Sequence, residues 1–215
     1  MSELADLLWQ STLETLAMVG ASLVIAGAGG LVLGVFLVVS ARDGVLPVPW
    51  LHRVLTVTAN VGRSIPFIIL MVALIPVTRW IVGTSIGTAA AIVPLVIGAV
   101  PYAARLVQSA LLEVDRGLVL AVVAMGATPW QVVHKAYLPE ARPALLRAAT
   151  LMAITLISFS AMAGAIGGGG LGDLAIRYGY QRFRPGVTLC TVAVLVALVQ
   201  AIQYMGDALA RRVQR

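Results

Sequence analysis

Few side chains in this sequence could do chemistry, and most of them sit where the chain is otherwise apolar. There are two histidines, His52 and His134, and one cysteine, Cys190, in 215 residues. Neither histidine has a second ligand at metal spacing, so no metal site is expected and both read as solvated residues between apolar runs. Cys190 lies inside an apolar run, cannot form an intrachain disulfide, and reads as packing. The run GGGGLGD, Gly167 to Asp173, has the glycines of a phosphate loop. It lacks a preceding strand and a closing Gly-Lys-Ser/Thr, so it reads as a tight turn, with a flexible gate or a docking surface as its functional version. What remains is a set of polar residues embedded in apolar stretches. Asn60, Arg63 and Ser64 form one group, and Thr155, Ser158 and Ser160 another, with Met162 just beyond. Polar groups are costly in lipid and mark pathways there, although a small hydroxyl can satisfy itself on its own helix. As a group they could line the path or gate of a small zwitterion.

The elements that must position these residues are membrane helices. The chain is 60% hydrophobic and 11% charged, against about 25% charged for water-soluble domains. A crossing helix needs roughly 20 apolar residues. Five stretches qualify, at about 15–41, 57–77, 84–104, 148–166 and 187–205. The expected fold is an all-α membrane protein with a single transmembrane domain over 1–215 and a cytoplasmic two-helix loop at about 113–143. Pro66, Pro76, Pro94 and Pro101 are expected to kink spans two and three, as lipid-embedded helices tolerate when neighbours satisfy the backbone. Gly30 and Gly34, with Ala26 one turn earlier, offer close helix approach, either within one chain or at a dimer seam.

The net charge of +6 does not point to nucleic acid, because the bases lie between apolar segments and not in one patch. They set topology instead. With the N-terminus outside, Arg42, Arg53, Arg63, Arg105, Arg116, Lys135, Arg142, Arg147, Arg211, Arg212 and Arg215 fall on the cytoplasmic side. Arg79, Arg177, Arg182 and Arg184 fall outside, which is 11 against 4. The first ten residues, MSELADLLWQ, hold two acids and no base; they read as an outer terminus and not as a signal peptide. The C-terminus is expected inside.

The segment MGATPWQVVHKAYLPEARP, Met125 to Pro143, then faces the cytoplasm. A helix is expected over Arg116–Met125, stopped by Gly126 in the left-handed conformation. Thr128 is placed to cap a second helix, with Pro129 at its first position. That helix should end at Leu138-Pro139, because the residue before a proline leaves the helical region. Trp130, Val133 and Tyr137 recur at helical spacing as one apolar stripe. Such a stripe suits a groove in another protein or the surface of the bilayer, and the residues alone leave both open.

This loop resembles the EAA loop of binding-protein-dependent ABC importer permeases. The family pattern is Glu-Ala-Ala, three residues, Gly, nine residues, Ile, one residue, Leu-Pro. Ala121, Gly126, Leu138 and Pro139 match it, whereas Leu120, Val122 and Ala136 depart from it. Four stretches resemble the methionine importer permeases: RSIPFIIL (63–70), VGTSIGTAAAIVPL (82–95), AMGATPWQVV (124–133) and SAMAGAIGGGGLGDLA (160–175). So does the five-span count. The resemblance implies a coupling helix, built on Ala121, Gly126, Ala127, Thr128, Pro129, Trp130, Val133, Tyr137, Leu138 and Pro139, that docks on a separate ATPase subunit. ATP and Mg would then belong to that partner, and this chain would hold no cofactor. Five spans make too little wall for a pathway and a gate, so the importer reading implies a homodimer bound to two ATPase subunits. It also implies a bacterial inner-membrane location and methionine, as either enantiomer or a derivative, as substrate. A substrate-binding protein on the outer face would meet IRYGYQRFRPG, where Arg177, Arg182 and Arg184 stand among three aromatics; headgroup contact by Tyr178, Tyr180 and Phe183 is the other reading. A permease for another small amino acid or solute is the nearest alternative. An ion-coupled carrier is disfavoured because the acids near spans, Glu14 and Asp207, sit at their ends. An intramembrane enzyme would need a base or metal ligand within the spans.

Overall fold

The computed structural model describes residues 2–214, which are helical along most of their length with no strand among them. The long helices are α1 (Ser2–Val39), α5 (Thr88–Leu112), α9 (Arg142–Ala165) and α11 (Pro185–Val213). Between α1 and α5 lie three shorter pieces, α2 (Pro49–Ser64), α3 (Phe67–Ala73) and α4 (Ile75–Val82). Between α5 and α9 lie α6 (Arg116–Ala124), α7 (Pro129–Val132), a π-helical turn (Val133–Tyr137) and α8 (Leu138–Glu140). The short α10 (Gly170–Asp173) and a second π-helical turn (Leu174–Tyr180) lead into α11. Arg215, one of the bases assigned to the inner side, lies outside the described residues.

The four long helices are each apolar enough to cross a membrane, and α2 with α3 passes the same test as a pair bent by 99°. Helix directions fix how often the chain crosses. A Cβ on Gly30 would meet Ala103, one on Gly34 would meet Val107, and one on Gly169 would meet both Glu14 and Thr88. Equal steps along α1 therefore match equal steps along α5, and the two helices run the same way. The intervening residues 40–87 must return through the full thickness of the bundle. α9 runs opposite to α1, with Gly164 against Gly172 at the Glu14 end and Thr150 against Gly206 at the other. α11 then runs back, so the chain makes five passes and its ends lie at opposite faces. The small-residue pair Gly30 and Gly34 is used within one chain, against α5. Around it a core of Met18, Leu95, Ala99, Ala103, Met152 and Leu156 joins α1, α5 and α9.

The second expected span, 57–77, is not one helix. Ile65 precedes Pro66 and is extended (φ −83°, ψ 122°), which ends α2. Leu74 (φ −87°, ψ 0°) makes a second break before Pro76 opens α4. Pro94 and Pro101 are instead carried inside the continuous α5, so two of the four expected kinks are helix ends and two produce no break. The third expected span, 84–104, is displaced to Thr88–Leu112. Arg105 does not end it, because its guanidinium folds back onto α2. The first span starts at Ser2 and not near residue 15, since Leu4, Leu7 and Leu8 pack on Leu171, Leu174 and Val187. The fourth and fifth expected spans, 148–166 and 187–205, lie almost wholly within α9 and wholly within α11. α11 is the least buried of the four long helices, and Cys190 on it is exposed, not packed as expected.

Candidate functional site

At one end of the bundle the chain turns a sharp elbow. Asp115 caps α6 by accepting from the Leu118 amide at 3.0 Å. Met125 leaves the helix and Gly126 takes φ 82°, with its amide donating to the Val123 carbonyl at 2.9 Å. Thr128 then caps α7 reciprocally. Its hydroxyl accepts from the Gln131 amide at 3.4 Å, and the Gln131 side chain accepts from the Thr128 amide at 2.9 Å. Pro129 occupies the first helical position. The expected stop at Leu138-Pro139 does not occur. A π-helical turn, in which the Leu138 amide reaches the Val133 carbonyl, precedes Pro139, which falls in the first turn of α8 where a missing N–H is tolerated. The chain breaks only at Ala141, before α9.

The expected partner-facing stripe of Trp130, Val133 and Tyr137 is divided. Val133 is 4% exposed, and its neighbours Val132 and Ala136 pack with Val38, Val107, Leu111 and Val119. Tyr137 is half-buried against the same cluster. Burial pushes its phenol above the usual range, against the opposing pull of the Arg116 guanidinium. Of the three, Trp130 alone is exposed, at 67%, with its ring 4.1 Å from that of His134. The exposed apolar side chains of the elbow come mostly from α6 and its end, with Leu120 at 57% and Met125 at 79%. Ala121 is exposed beside them, and Ala127 half-buried. One face of the elbow is thus joined to the ends of α1 and α5, and the other projects apolar side chains outward.

The polar residues expected to line a path fall into separate places. Arg63 and Thr155 share a cavity of about 270 Å³ with Gly62, Phe67, Tyr102 and Phe159. The rings of Phe67 and Phe159 stack at 4.3 Å. The Thr155 hydroxyl donates to the Leu151 carbonyl at 2.9 Å and lies 3.4 Å from that of Tyr102. Asn60 is engaged elsewhere: its Oδ1 accepts from Arg105 at 2.7 Å. Arg105 also donates to the Thr56 carbonyl and to Gln108, tying α5 to α2. Ser64 and the buried Ser160 donate to their own helices, at the carbonyls of Asn60 and Ile157. Ser158 and Met162 line a second cavity of about 610 Å³ between α9 and α11. His52 is not merely solvated as expected, since its Nδ1 lies 3.0 Å from the Leu37 carbonyl.

At the opposite end the glycine turn is pinned. The Gly170 amide donates to the Glu14 carboxylate at 2.7 Å, and the Leu171 amide to the Thr15 hydroxyl at 2.9 Å. The Gly87 amide donates to the Gly167 carbonyl at 2.8 Å. Of the three arginines in IRYGYQRFRPG, Arg177 pairs with Asp173 at 2.6 Å. Arg182 lies 4.3 Å over the Tyr178 ring, and Arg184 is exposed ahead of α11.

Residues 30–215 match the family described as binding-protein-dependent transport system inner membrane component. The chain belongs to this family. Over 209 residues it is 54% identical to the probable D-methionine transport system permease protein MetI of Vibrio cholerae, covering 97% of this chain and 93% of that one. Over 158 residues it is 51% identical to the D-methionine transport system permease protein MetI of Escherichia coli K12, covering 74% and 73%. Its fold superposes along the whole of both chains, with a TM-score of 0.98 and 47% identity, on a chain of the MetNI methionine ABC transporter solved in inward facing conformations. An amino acid ABC transporter solved with histidines shares the fold alone, at a TM-score of 0.81 and 20% identity. In this inner membrane component, Arg105, Tyr102, Phe67 and Phe159 are the residues that sequence reasoning missed. Tyr102 and the phenylalanines look like any apolar helix residue. Arg105 looked like a span boundary.

Proposed function

We propose that this chain is the non-catalytic membrane subunit of an ATP-driven methionine importer. Two copies form the pathway, and each elbow docks on a separate ATPase subunit that binds ATP and Mg. The observation that carries this reading is the two-faced elbow. Leu120, Met125 and Trp130 project outward while Val119, Val132 and Ala136 are packed into the ends of α1 and α5. A load on the outer face is therefore passed to the long helices. Closure of the ATPases would bring two elbows together and switch the bundle as rigid bodies. The broken α2–α3–α4 segment, with its two hinges, is the part of the wall best suited to yield. Methionine as substrate rests on the methionine transport relatives and on the superposition with the methionine importer chain.

The base distribution supports a cytoplasmic elbow and C-terminus and an outer N-terminus in the bacterial inner membrane. A soluble binding protein would then deliver substrate at the glycine-turn end, where Arg182, Arg184 and Phe183 are exposed. The test is uptake of labelled L- and D-methionine by proteoliposomes holding the permease with its cognate ATPase and binding protein. Uptake that requires ATP is the expected result. ATP-dependent complexes that import no methionine would remove the substrate assignment, and uptake indifferent to ATP would remove the importer class.

A further inference from the structure

We propose that the Arg63 cavity is a transient binding site for an amino acid in transit, which holds its carboxylate on Arg63 and lays an apolar side chain against Phe67 and Phe159. This rests on the importer reading above and goes beyond it by giving the substrate a place to stop.

The cavity lies near the middle of the bundle, so Arg63 does not stand at the inner end where the base count placed it, and 10 bases against 4 remain to set the topology. Gly62 packs on Pro101, and Gly98 packs beside Phe67 and Leu70, all close to the midpoint of α5 between Thr88 and Leu112. A guanidinium at that depth is costly unless it faces water, a counter-ion or a ligand. Arg63 has no ion pair among the described residues. The nine acids, Glu3, Asp6, Glu14, Asp43, Glu113, Asp115, Glu140, Asp173 and Asp207, all lie toward the ends of the bundle or in its connections. Arg105, the other arginine nearby, already donates to Thr56, Asn60 and Gln108. Arg63 is thus the cation available to a passing anion, and its planar fork matches a carboxylate.

The rest of the wall suits the rest of an amino acid. The Gly62 carbonyl would be paired, in a continuing helix, with the amide of residue 66, and Pro66 has no N–H to give. That carbonyl and the hydroxyls of Tyr102 and Thr155 can accept from an ammonium group. The aromatic pair offers a soft contact for an aliphatic or thioether side chain. A volume of about 270 Å³ falls just below the range of drug-sized pockets, roughly 300–1,000 Å³, as a single small amino acid requires. Arg63 also sits in the last turn of α2, where its charge complements the partial negative charge of the helix C-terminus. That role needs a charge alone, so Arg63→Lys preserves it while removing the fork.

The test places a single thiol in the cavity wall as Ile65→Cys, with Cys190→Ser, in the reconstituted complex with its ATPase and binding protein. The rate of labelling by a small maleimide is read against methionine and against methioninol, which lacks the carboxylate, alongside methionine uptake. Methionine is expected to slow labelling and methioninol to do so far less. Arg63→Gln should raise the methionine concentration giving half-protection by about tenfold or more, as loss of a charge-assisted bidentate contact implies, and Arg63→Lys should fall between. Uptake without protection, or protection unchanged in Arg63→Gln or equal in Arg63→Lys and wild type, overturns the site and leaves the importer reading intact. Protection without uptake keeps the site and removes the transport reading. Neither protection nor uptake removes both.

Discussion

Gly126→Val is expected to abolish transport while the chain still inserts and keeps its bundle. Gly126 has φ 82°, and a Cβ there would meet nothing within 4 Å. The obstacle is therefore backbone conformation and not space. An L residue in this region costs about 1–2 kcal/mol, and a β-branched one is a true outlier. The loop relieves that strain by opening the elbow, which changes the angle between α6 and α7. Leu120 and Met125 on one arm and Trp130 on the other then no longer fit one cleft. Burying side chains of this kind is worth roughly 1.5–3 kcal/mol each. Losing two of them weakens ATPase binding by about a hundredfold or more, at about 1.4 kcal/mol per tenfold. Co-purification of the ATPase with the wild type and with Gly126→Val measures this. Gly126→Ala, which carries the conformational cost without β-branching, should show an intermediate loss. Full binding and transport by Gly126→Val would mean that the elbow angle is not what couples the two subunits.

Gly34→Leu should prevent the chain from accumulating as a stable membrane protein, whereas Gly27→Leu should be nearly silent. Both glycines lie on α1, two turns apart. A Cβ on Gly34 would lie 2.6 Å from Val107 side-chain atoms and 2.8 Å from the Ala104 carbonyl oxygen, and one on Gly27 would have nothing within 4 Å. Overpacking of a tight contact costs about 1–3 kcal/mol and more when backbone must move. In lipid there is no compensating drive to bury the longer side chain, because the acyl chains solvate it as well. The damage would also spread, since Val107 belongs to the cluster that carries the elbow. Detergent-solubilised protein should show a lower unfolding temperature or no monodisperse peak for Gly34→Leu, and wild-type behaviour for Gly27→Leu. Equal tolerance at the two sites would show that the α1–α5 approach contributes little.

The sequence made some of these features readable and hid others for physical reasons. Gly126, Thr128 and Pro129 are local signals, and each does in the structure what its own chemistry dictates. The number of passes was legible because apolar length is nearly sufficient evidence for a crossing in lipid. Span edges were less so. Arg105 marked a boundary only because its partners, Thr56 and Asn60, come from another helix that periodicity cannot place beside it. The division of Trp130 from Val133 was hidden for the same reason. An apolar stripe records that a face is covered, and the cover here is partly the chain's own α1 and α5. Glu14 looked like a span end, yet its carboxylate caps a turn 156 residues away. The cavity beside Arg63 arises from the break at Pro66, which was visible, together with Phe159 and Tyr102, which nothing in the sequence singled out.

Coupling requires the elbow to meet the ATPase, and one cross-linking measurement addresses that contact. Met125→Cys in a Cys190→Ser background leaves a single thiol at the most exposed apolar point of the elbow. The reconstituted complex is treated with a short bismaleimide, with one cysteine at the rim of the ATPase cleft as its target. The expected result is a permease–ATPase adduct that forms in high yield and is lost when Gly126→Val is added. An elbow thiol that forms no adduct, and that reacts instead with a lipid-soluble maleimide in vesicles, would contradict the account and place this loop on the bilayer surface.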